Sequence, residues 1–239
     1  MKPTAIILAR GGSKGLPAKN LRPICGRACV EWTFDAALAS SRLARVLFSS
    51  DSAELRAIAH GYNIETHTRS AAQASDTATI DAATREALAS DPLAGPIVIL
   101  YGNVPIRPPN LIDDALALLE RTGCDSVQSV APVGRHHPWW MSRIDDHQRL
   151  TPWQGDTLNN NVFRRQDLPP AYMPDGGIIA LRRDALELRI LDVMPGPHAF
   201  LGRDRRAIIN PPNSVIDIDT EIDLQLASVI LEAARRSVA

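Results

Sequence analysis

Lysine is nearly missing from this chain. Of 26 Lys and Arg residues only three are Lys, namely Lys2, Lys14 and Lys19. Cysteine is scarce too. The three present, Cys25, Cys29 and Cys124, are too few for a disulfide framework. Cys25 and Cys29 lack the partners of a zinc site, so the cysteines read as ordinary thiols of a cytoplasmic protein. Charge of one sign is lacking as well: 26 basic against 27 acidic residues leave a net charge of -1. That balance argues against bulk electrostatic binding to nucleic acid or a membrane surface. No apolar run reaches about 18 residues, so no membrane-spanning helix is expected. The short apolar stretch at the N-terminus leads into a polar, glycine-rich segment and not into a signal-peptide cleavage pattern.

What remains is globular in composition. The 239 residues are 45% apolar and 22% charged, which suits one domain carrying an elaborated lobe. Thr4 to Ala9 is a continuous apolar run, as in a strand buried on both faces. Helix is expected over Ala28–Ser40, Ala53–His60 (capped by Ser52 or Asp51), Thr77–Ala89, Leu111–Glu120 and Glu221–Arg236. In the last of these, Ile222, Leu226, Val229, Ile230 and Ala233 are expected to face inward, with Thr220 as N-cap. Strands are expected at Arg45–Ser49, Asn63–Thr66, Pro96–Leu100, Ser126–Val130, Gly177–Leu181 and Val215–Ile218. Alternating strands and helices with short connections imply parallel βαβ units, whose ligands bind beyond the carboxyl ends of the strands. Periodicity fades over residues 132–174, where three Trp, several Pro and the run Asn159-Asn160-Asn161 fall. Such an excursion reads as a lid, an oligomerisation arm or a substrate-side lobe.

The segment Leu8-Ala9-Arg10-Gly11-Gly12-Ser13-Lys14-Gly15-Leu16-Pro17-Ala18-Lys19-Asn20 carries the clearest chemistry. A buried strand ends there and a glycine-rich loop begins, whose amides can approach an anion closely. Arg10, Lys14 and Lys19 surround it with positive charge, which suits a polyphosphate. The compact ammonium of lysine is kept where the chain otherwise uses the planar fork of arginine. The spacing is neither that of a P-loop nor that of a dinucleotide fingerprint. Near the other end, Asp217 and Asp219 stand two apart on an expected strand and so share a face. Two carboxylates so placed can hold Mg2+, with water and phosphate oxygens completing the shell.

The glycine-rich segment resembles the N-terminal signature of the acylneuraminate cytidylyltransferase family, and further stretches agree in order. Arg69 with Ala74-Ser75-Asp76-Thr77-Ala78 resembles the nucleotide-base segment. His136-His137-Pro138 matches the start of the inserted arm. Arg165-Gln166-Asp167-Leu168-Pro169 and Pro174-Asp175-Gly176-Gly177-Ile178 resemble its RQ-x-LP and PNGA segments. Ser214 to Glu221 with Asp223-Leu224 resembles its DIDTE-x-DL ending. The similarity runs from about residue 4 to residue 228.

The resemblance implies a Rossmann-like nucleotide-diphospho-sugar transferase fold: α/β, a mixed, mostly parallel sheet, and an inserted dimerisation arm over residues 132–174. The arm would build a homodimer and complete the partner's sugar site. It implies a reaction as well. The anomeric hydroxyl of a 2-keto-3-deoxy sugar acid attacks the α-phosphate of CTP, CMP-sugar forms and pyrophosphate leaves, with Mg2+ required. Arg10 and Lys19 are then catalytic. Ala9, Gly11, Gly12, Ser13, Lys14, Asn20, Arg69, Ser75 and Asp76 bind the nucleotide. Tyr101, Asn103, Arg107, Arg165, Gln166 and Asp175 fall on the sugar side. Asp217 and Asp219 hold the metal.

The departures from the family pattern lie on the sugar side. Where the family usually reads LQPTSPLR, this chain has Leu100-Tyr101-Gly102-Asn103-Val104-Pro105-Ile106-Arg107. A phenol at Tyr101 cannot offer the paired donor and acceptor of the usual Gln. Trp139-Trp140 follows His137-Pro138 where the family often has Lys, and Asp175 replaces the Asn of PNGA. CTP is therefore the firmer expectation. The acceptor is expected to be a sialic-acid-like nonulosonic acid, with Kdo or another acidic sugar as the alternative; the alternative to an enzyme is that the chain is a nucleotide-sugar-binding protein without turnover. His136 and His137 are read as arm packing and the Trp pair as interface anchors.

Overall fold

The computed structural model describes residues 2–13, 15–89 and 95–238. The first strand, β1 (Thr4–Leu8), is buried along its whole length. A small ribbon of β2 (Pro23–Ile24) and β3 (Arg27–Ala28) leads into α1 (Cys29–Leu38). There follow β4 (Arg45–Ser50), α2 (Ala53–Gly61), β5 (Glu65–Thr68), α3 (Ala71–Ala74), α4 (Ile80–Ala87), β6 (Ile97–Tyr101), α5 (Leu111–Thr122) and β7 (Ser126–Pro132). The hairpin β8 (Ser142–Ile144) and β9 (Leu150–Pro152) precedes β10 (Tyr172–Leu181), α6 (Arg183–Leu186), β11 (Arg205–Ile209) and the long α7 (Glu221–Val238).

Among the described residues one seven-stranded sheet forms in the order β11-β7-β10-β6-β1-β4-β5. Only β10 runs antiparallel to its neighbours, β6 and β7. The expected mixed, mostly parallel α/β sheet is thus observed. Residue alternation along the strands builds two cores. Ala5, Ile7, Phe48, Val98 and Leu100 pack with Val30 and Phe34 of α1, Leu55 of α2 and Leu111 of α5. Ile6, Leu8, Leu47 and Ile99 face the other way, toward Ala83 of α4, Leu186 of α6 and Phe200. Phe34 meets Phe48 edge-on at 5.1 Å. Each such fully buried ring contributes about 2–3 kcal/mol of apolar transfer. A third cluster brings the two ends of the chain together: Leu16, Ile24 and Cys29 pack on Ile216, Ile218, Leu224 and Ala227.

Several expectations are corrected. Residues 215–218 form no ladder strand. They make one antiparallel bridge, Ile106 with Ile216, so Asp217 and Asp219 owe their placement to a bridging loop. The edge strand β11 was not anticipated, because Arg205-Arg206-Ala207-Ile208-Ile209 lacks a two-residue alternation. It pairs parallel to β7. β5 lies two residues later than expected, and α4 starts at Ile80 behind Thr79, whose side chain accepts from Ala82 N. β10 begins five residues before Gly177. In α7 the buried side is Leu224 and Ala227, whereas Ile222, Leu226 and Val229 are exposed. The helix carries apolar residues on two faces, and only docking selects between them. Ile230 does pack inward, and Thr220 caps the helix as expected: its Oγ1 accepts from Asp223 N while Asp223 Oδ2 accepts from Thr220 N.

The excursion begins after Pro132 and ends before Tyr172, since β7 and β10 pair across those two residues. It holds the β8–β9 hairpin and short 3-10 turns at Pro138–Trp140, Leu158–Asn161 and Arg165–Asp167. Trp140 Nε1 donates to Val162 O at 3.0 Å, so this ring packs within the excursion itself.

One turn on the far side of the sheet is tightly built. Gly202 has φ +72°, and a Cβ there would lie 2.3 Å from the Cβ of the buried Asp125. Asp125 Oδ2 accepts from Arg203 N and Asp204 N. Gly202→Ala is expected to cost more than about 2 kcal/mol, through backbone strain and displacement of a buried carboxylate. Urea unfolding measures this, and an unchanged midpoint would contradict the packing described.

Candidate active site

The site is assembled at the carboxyl ends of β1 and β6. Beyond Leu8 the chain leaves the sheet, with Gly102 N donating to Leu8 O and Ala9 N to Ser49 O. The loop closes on itself through the buried Asn20, whose Nδ2 donates to Arg10 O at 2.9 Å. Lys19 opens a 3-10 turn, Lys19–Leu21, which aims its ammonium across the cleft. The C-terminal loop is laid alongside by two backbone bonds, Ile216 N to Ile106 O and Ile218 N to Asn103 O. Asn103 Nδ2 donates to Ile218 O and to Asp217 Oδ1, fixing the first carboxylate. The two charge clusters meet directly: Lys19 Nζ lies 2.6 Å from Asp219 Oδ1.

A cleft of about 270 Å³ lies beside this pair, lined by Ala9, Arg10, Lys19, Asn20, Arg69, Ser75, Asp76, Tyr101 and Asn103. Nine of the expected site residues are therefore neighbours. Gly11, Gly12, Ser13 and the two expected metal ligands, Asp217 and Asp219, lie outside its lining, and Lys14 lies outside the described residues. Gly11 N donates to Asp51 Oδ1 at 2.8 Å, so a carboxylate holds the amide that was expected to meet phosphate. Ser13 Oγ donates to Leu16 O and accepts from Lys19 N. Arg10 is likewise engaged, at 2.7 Å from Asp76 Oδ1. Arg10 and Lys19 thus each face a carboxylate of the same chain, whereas Arg69 donates to Ser49.

Burial sets the electrostatics. The Asp217 carboxyl is pushed up to about 6 by desolvation first and by Asp219 second, against Lys19 and Arg107. Burial and then Asp217 push the Tyr101 phenol up to about 12, so it stays protonated and can donate. The pKa of Arg69 is lowered by burial, opposed by Asp51 and Glu86.

Asp175 and Arg107, expected on the sugar side, are spent on the protein. Arg107 donates to Gly177 O, Tyr101 O, Thr33 Oγ1 and Val104 O. Desolvation lowers its pKa to about 10. It clamps the loop after β6 to β10 and lines neither cavity of this region. Asp175 Oδ1 accepts from Ser129 Oγ and Gly177 N, and Oδ2 accepts from Asn210 Nδ2 at 2.7 Å. It braces the bulge between Pro174 and Ile179, where Gly176 takes φ +77° and passes close to Asp217. Arg165 and Gln166 are exposed on the excursion and line neither cavity.

A second cavity of about 300 Å³ adjoins the first and shares Ile80 and Tyr101 with it. Its wall includes Ile179 and Phe200, and Gln128, Ser129, His198 and Arg205 supply polar groups. Arg205 was missed because β11 was missed, and His198 and Phe200 because the turn before it carries no motif. Gln128 and Ser129, on a strand that was expected, carried no motif signal. Gln73 of α3 and Asp51 were missed for want of any pattern beyond turn chemistry.

Among the described residues no group of three or more His, Cys, Asp or Glu could hold a metal alone. Asp217 and Asp219 nevertheless suit a divalent ion whose shell is completed by phosphate. Their mutual repulsion raises Asp217, and a cation between them would relieve it.

Fold and site together define an α/β protein with a cationic nucleotide-sized cleft at a sheet's carboxyl edge. Residues 4–183 match the family model described as Cytidylyltransferase, and the chain belongs to that family. It is 30% identical to CMP-N,N'-diacetyllegionaminic acid synthase of Legionella pneumophila, with 97% of each chain covered. It is 29% identical to N-acylneuraminate cytidylyltransferase B of Danio rerio, over 93% of this chain and 50% of that protein. The chain thus spans about half the length of this relative. The solved structure of CMP:2-keto-3-deoxy-manno-octonic acid synthetase complexed with CTP shares the fold, with TM-score 0.73, 16% identity and coverage of 98% and 100%.

The raised Asp217 gives a stability prediction. Its folded pKa lies above the ordinary 3.8, so its contribution is fully present below that value and is lost as pH rises toward about 6. Asp217→Asn removes the cost of ionising it. Without divalent cations the variant should be more stable than wild type at neutral pH by about 1–2 kcal/mol, discounted for partial exposure. The advantage should vanish near pH 4, as read from urea midpoints. A variant less stable at neutral pH would contradict the assignment.

Proposed function

We propose that the chain is a Mg2+-dependent cytidylyltransferase that couples CTP to an acidic 2-keto-3-deoxy sugar of the nonulosonic, sialic-acid-like class, giving CMP-sugar and pyrophosphate. The observation that carries this reading is the ion pair of Lys19 with Asp219, beside Asp217, at the edge of a cleft that Lys19, Arg10 and Arg69 line.

Transfer of a nucleotidyl group needs in-line positioning and stabilisation of charge on non-bridging and leaving oxygens. Lys19 and Arg10 supply that stabilisation once the triphosphate takes them from Asp219 and Asp76. Exposed ion pairs of this kind contribute only about 0–1 kcal/mol, so a polyanion competes for the cations easily. Asn20 Oδ1 is buried with no hydrogen-bond partner, and a ribose hydroxyl is a donor that can satisfy it whereas phosphate is not. Arg69 addresses the cytosine. Bound by Asp217 and Asp219, magnesium would add neutralising charge at the phosphate oxygens. Tyr101 stands between the two cavities with its hydroxyl protonated, placed to hold the attacking sugar against the α-phosphate. The second cavity takes the acceptor, and the names of the Legionella and Danio relatives support a nonulosonic acid.

A homodimer fits the excursion, where Phe163 is 92% exposed and Ile144 is 68% exposed. Arg165 and Gln166 then complete the partner's acceptor site, with the guanidinium pairing the sugar carboxylate. The three cysteines are free, which supports a reducing compartment such as the cytoplasm.

A pyrophosphate-release screen of CTP, UTP, ATP and GTP against a panel of ulosonic acids tests the reaction. Release is expected with CTP and at least one nonulosonic acid. Silence across the panel would refute it. Lys19→Ala should slow turnover by about a thousandfold with an unchanged unfolding midpoint, and near-normal rates would remove Lys19 from the mechanism. Phe163→Asp should sediment as a monomer if the excursion is the interface, and a surviving dimer would place the interface elsewhere.

A further inference from the structure

Behind the base end of the cleft lies a hydrogen-bonded chain that no motif marks. Arg69 Nη2 donates to Ser49 O at 2.8 Å, and Arg69 Nε donates to Ser49 Oγ at 3.3 Å. Ser49 Oγ is also 3.2 Å from His67 Nδ1. The directions are fixed by chemistry. A guanidinium only donates, so Ser49 Oγ is the acceptor toward Arg69 and its own hydrogen is left for His67. With the ring neutral and its proton on Nε2, Nδ1 is the lone-pair nitrogen that accepts it. Ser49 O also accepts from Ala9 N, so the same serine ties Arg69 to the start of the phosphate loop.

We infer that neutral His67 is a positioning residue for nucleotide binding: through Ser49 it holds Arg69 in the orientation that meets the base. This rests on Arg69 as the cytosine contact. His67 sits half-buried on β5, at the sheet edge. The charged groups around it are Glu86 of α4, Arg69 just beyond β5 and Arg56 of α2. Burial holds the imidazole below its ordinary range; Glu86 opposes this, while Arg69 and Arg56 reinforce it. The ring is therefore neutral at neutral pH. When it takes a proton at Nδ1 in mild acid, Ser49 Oγ faces two donors and has no acceptor for its own hydrogen. The imidazolium also places a positive charge beside Arg69. Both effects loosen the arginine, so nucleotide affinity falls as pH drops through the His67 titration. The phosphate end, fixed by Lys19 and Arg10, is untouched.

Calorimetric titration of the full chain with CTP alone, at about pH 7.5 and at the lowest pH at which the chain stays folded, tests this. Three proteins are compared: wild type, His67→Asn and His67→Leu. Asn carries its amide oxygen where Nδ1 lies and does not titrate, whereas Leu offers no acceptor. Wild type is expected to lose about tenfold in affinity on acidification beyond whatever His67→Asn loses, the latter recording the titration of CTP itself and of Asp217. His67→Leu should be about tenfold weaker than wild type at the higher pH, while His67→Asn matches wild type there. Equal affinities for wild type and His67→Leu at both pH values would overturn the inference and leave the cytidylyltransferase reading standing. A wild-type chain that binds no CTP at either pH would overturn both.

Discussion

The ion pair between Lys19 and Asp219 joins residues two hundred positions apart, and the candidate site depends on their staying together. The pair does not hold itself. With Asp219 mostly exposed, its own contribution is about 1 kcal/mol at most. What fixes it is apolar and backbone structure beneath. Leu16 and Ile24 pack against Ile218 and Leu224, and two amides pin the C-terminal loop to residues 103–106. Hydrophobic burial thus brings the ends of the chain together and leaves charge free to respond to a ligand.

That division explains why Arg10 and Lys19 are both paired. Arg10 with Asp76, Lys19 with Asp219 and the Gly11 amide with Asp51 form a set of internal counterparts. Each is weak enough to yield to a multiply charged ligand. The buried groups behave differently. Arg107 and Asp175 have nearly all their hydrogen-bonding capacity committed to the loop after β6 and the bulge of β10. They shape the surface on which chemistry occurs without reaching it.

Much of this was legible from residue order alone. Buried parallel strands announce themselves as unbroken apolar runs, and Thr4 to Leu8 did so. The glycine-rich loop with its two flanking cations sat where a strand ends, which is where such sheets bind ligands. Features set by tertiary contact were not legible. β11 is a cationic edge strand whose pairing with β7 follows from sheet position, not from its own pattern. The buried side of α7 was misjudged because Ile222 and Leu226 are as apolar as Leu224 and Ala227, and only the partner surface decides between them. Arg107 looked like a substrate contact because nothing in its neighbours reveals four acceptors converging on it. The Ser49–His67 chain was invisible for the same reason: its members come from two strands and a loop.

The central claim is that one triphosphate bridges the two charge clusters. A crystal structure of the chain soaked with CTP tests it most directly. The account predicts the triphosphate seated against residues 10–13, with Lys19 moved from Asp219 onto a phosphate oxygen and the base against Arg69. A nucleotide bound elsewhere, with the Lys19–Asp219 pair intact beside it, would contradict the account.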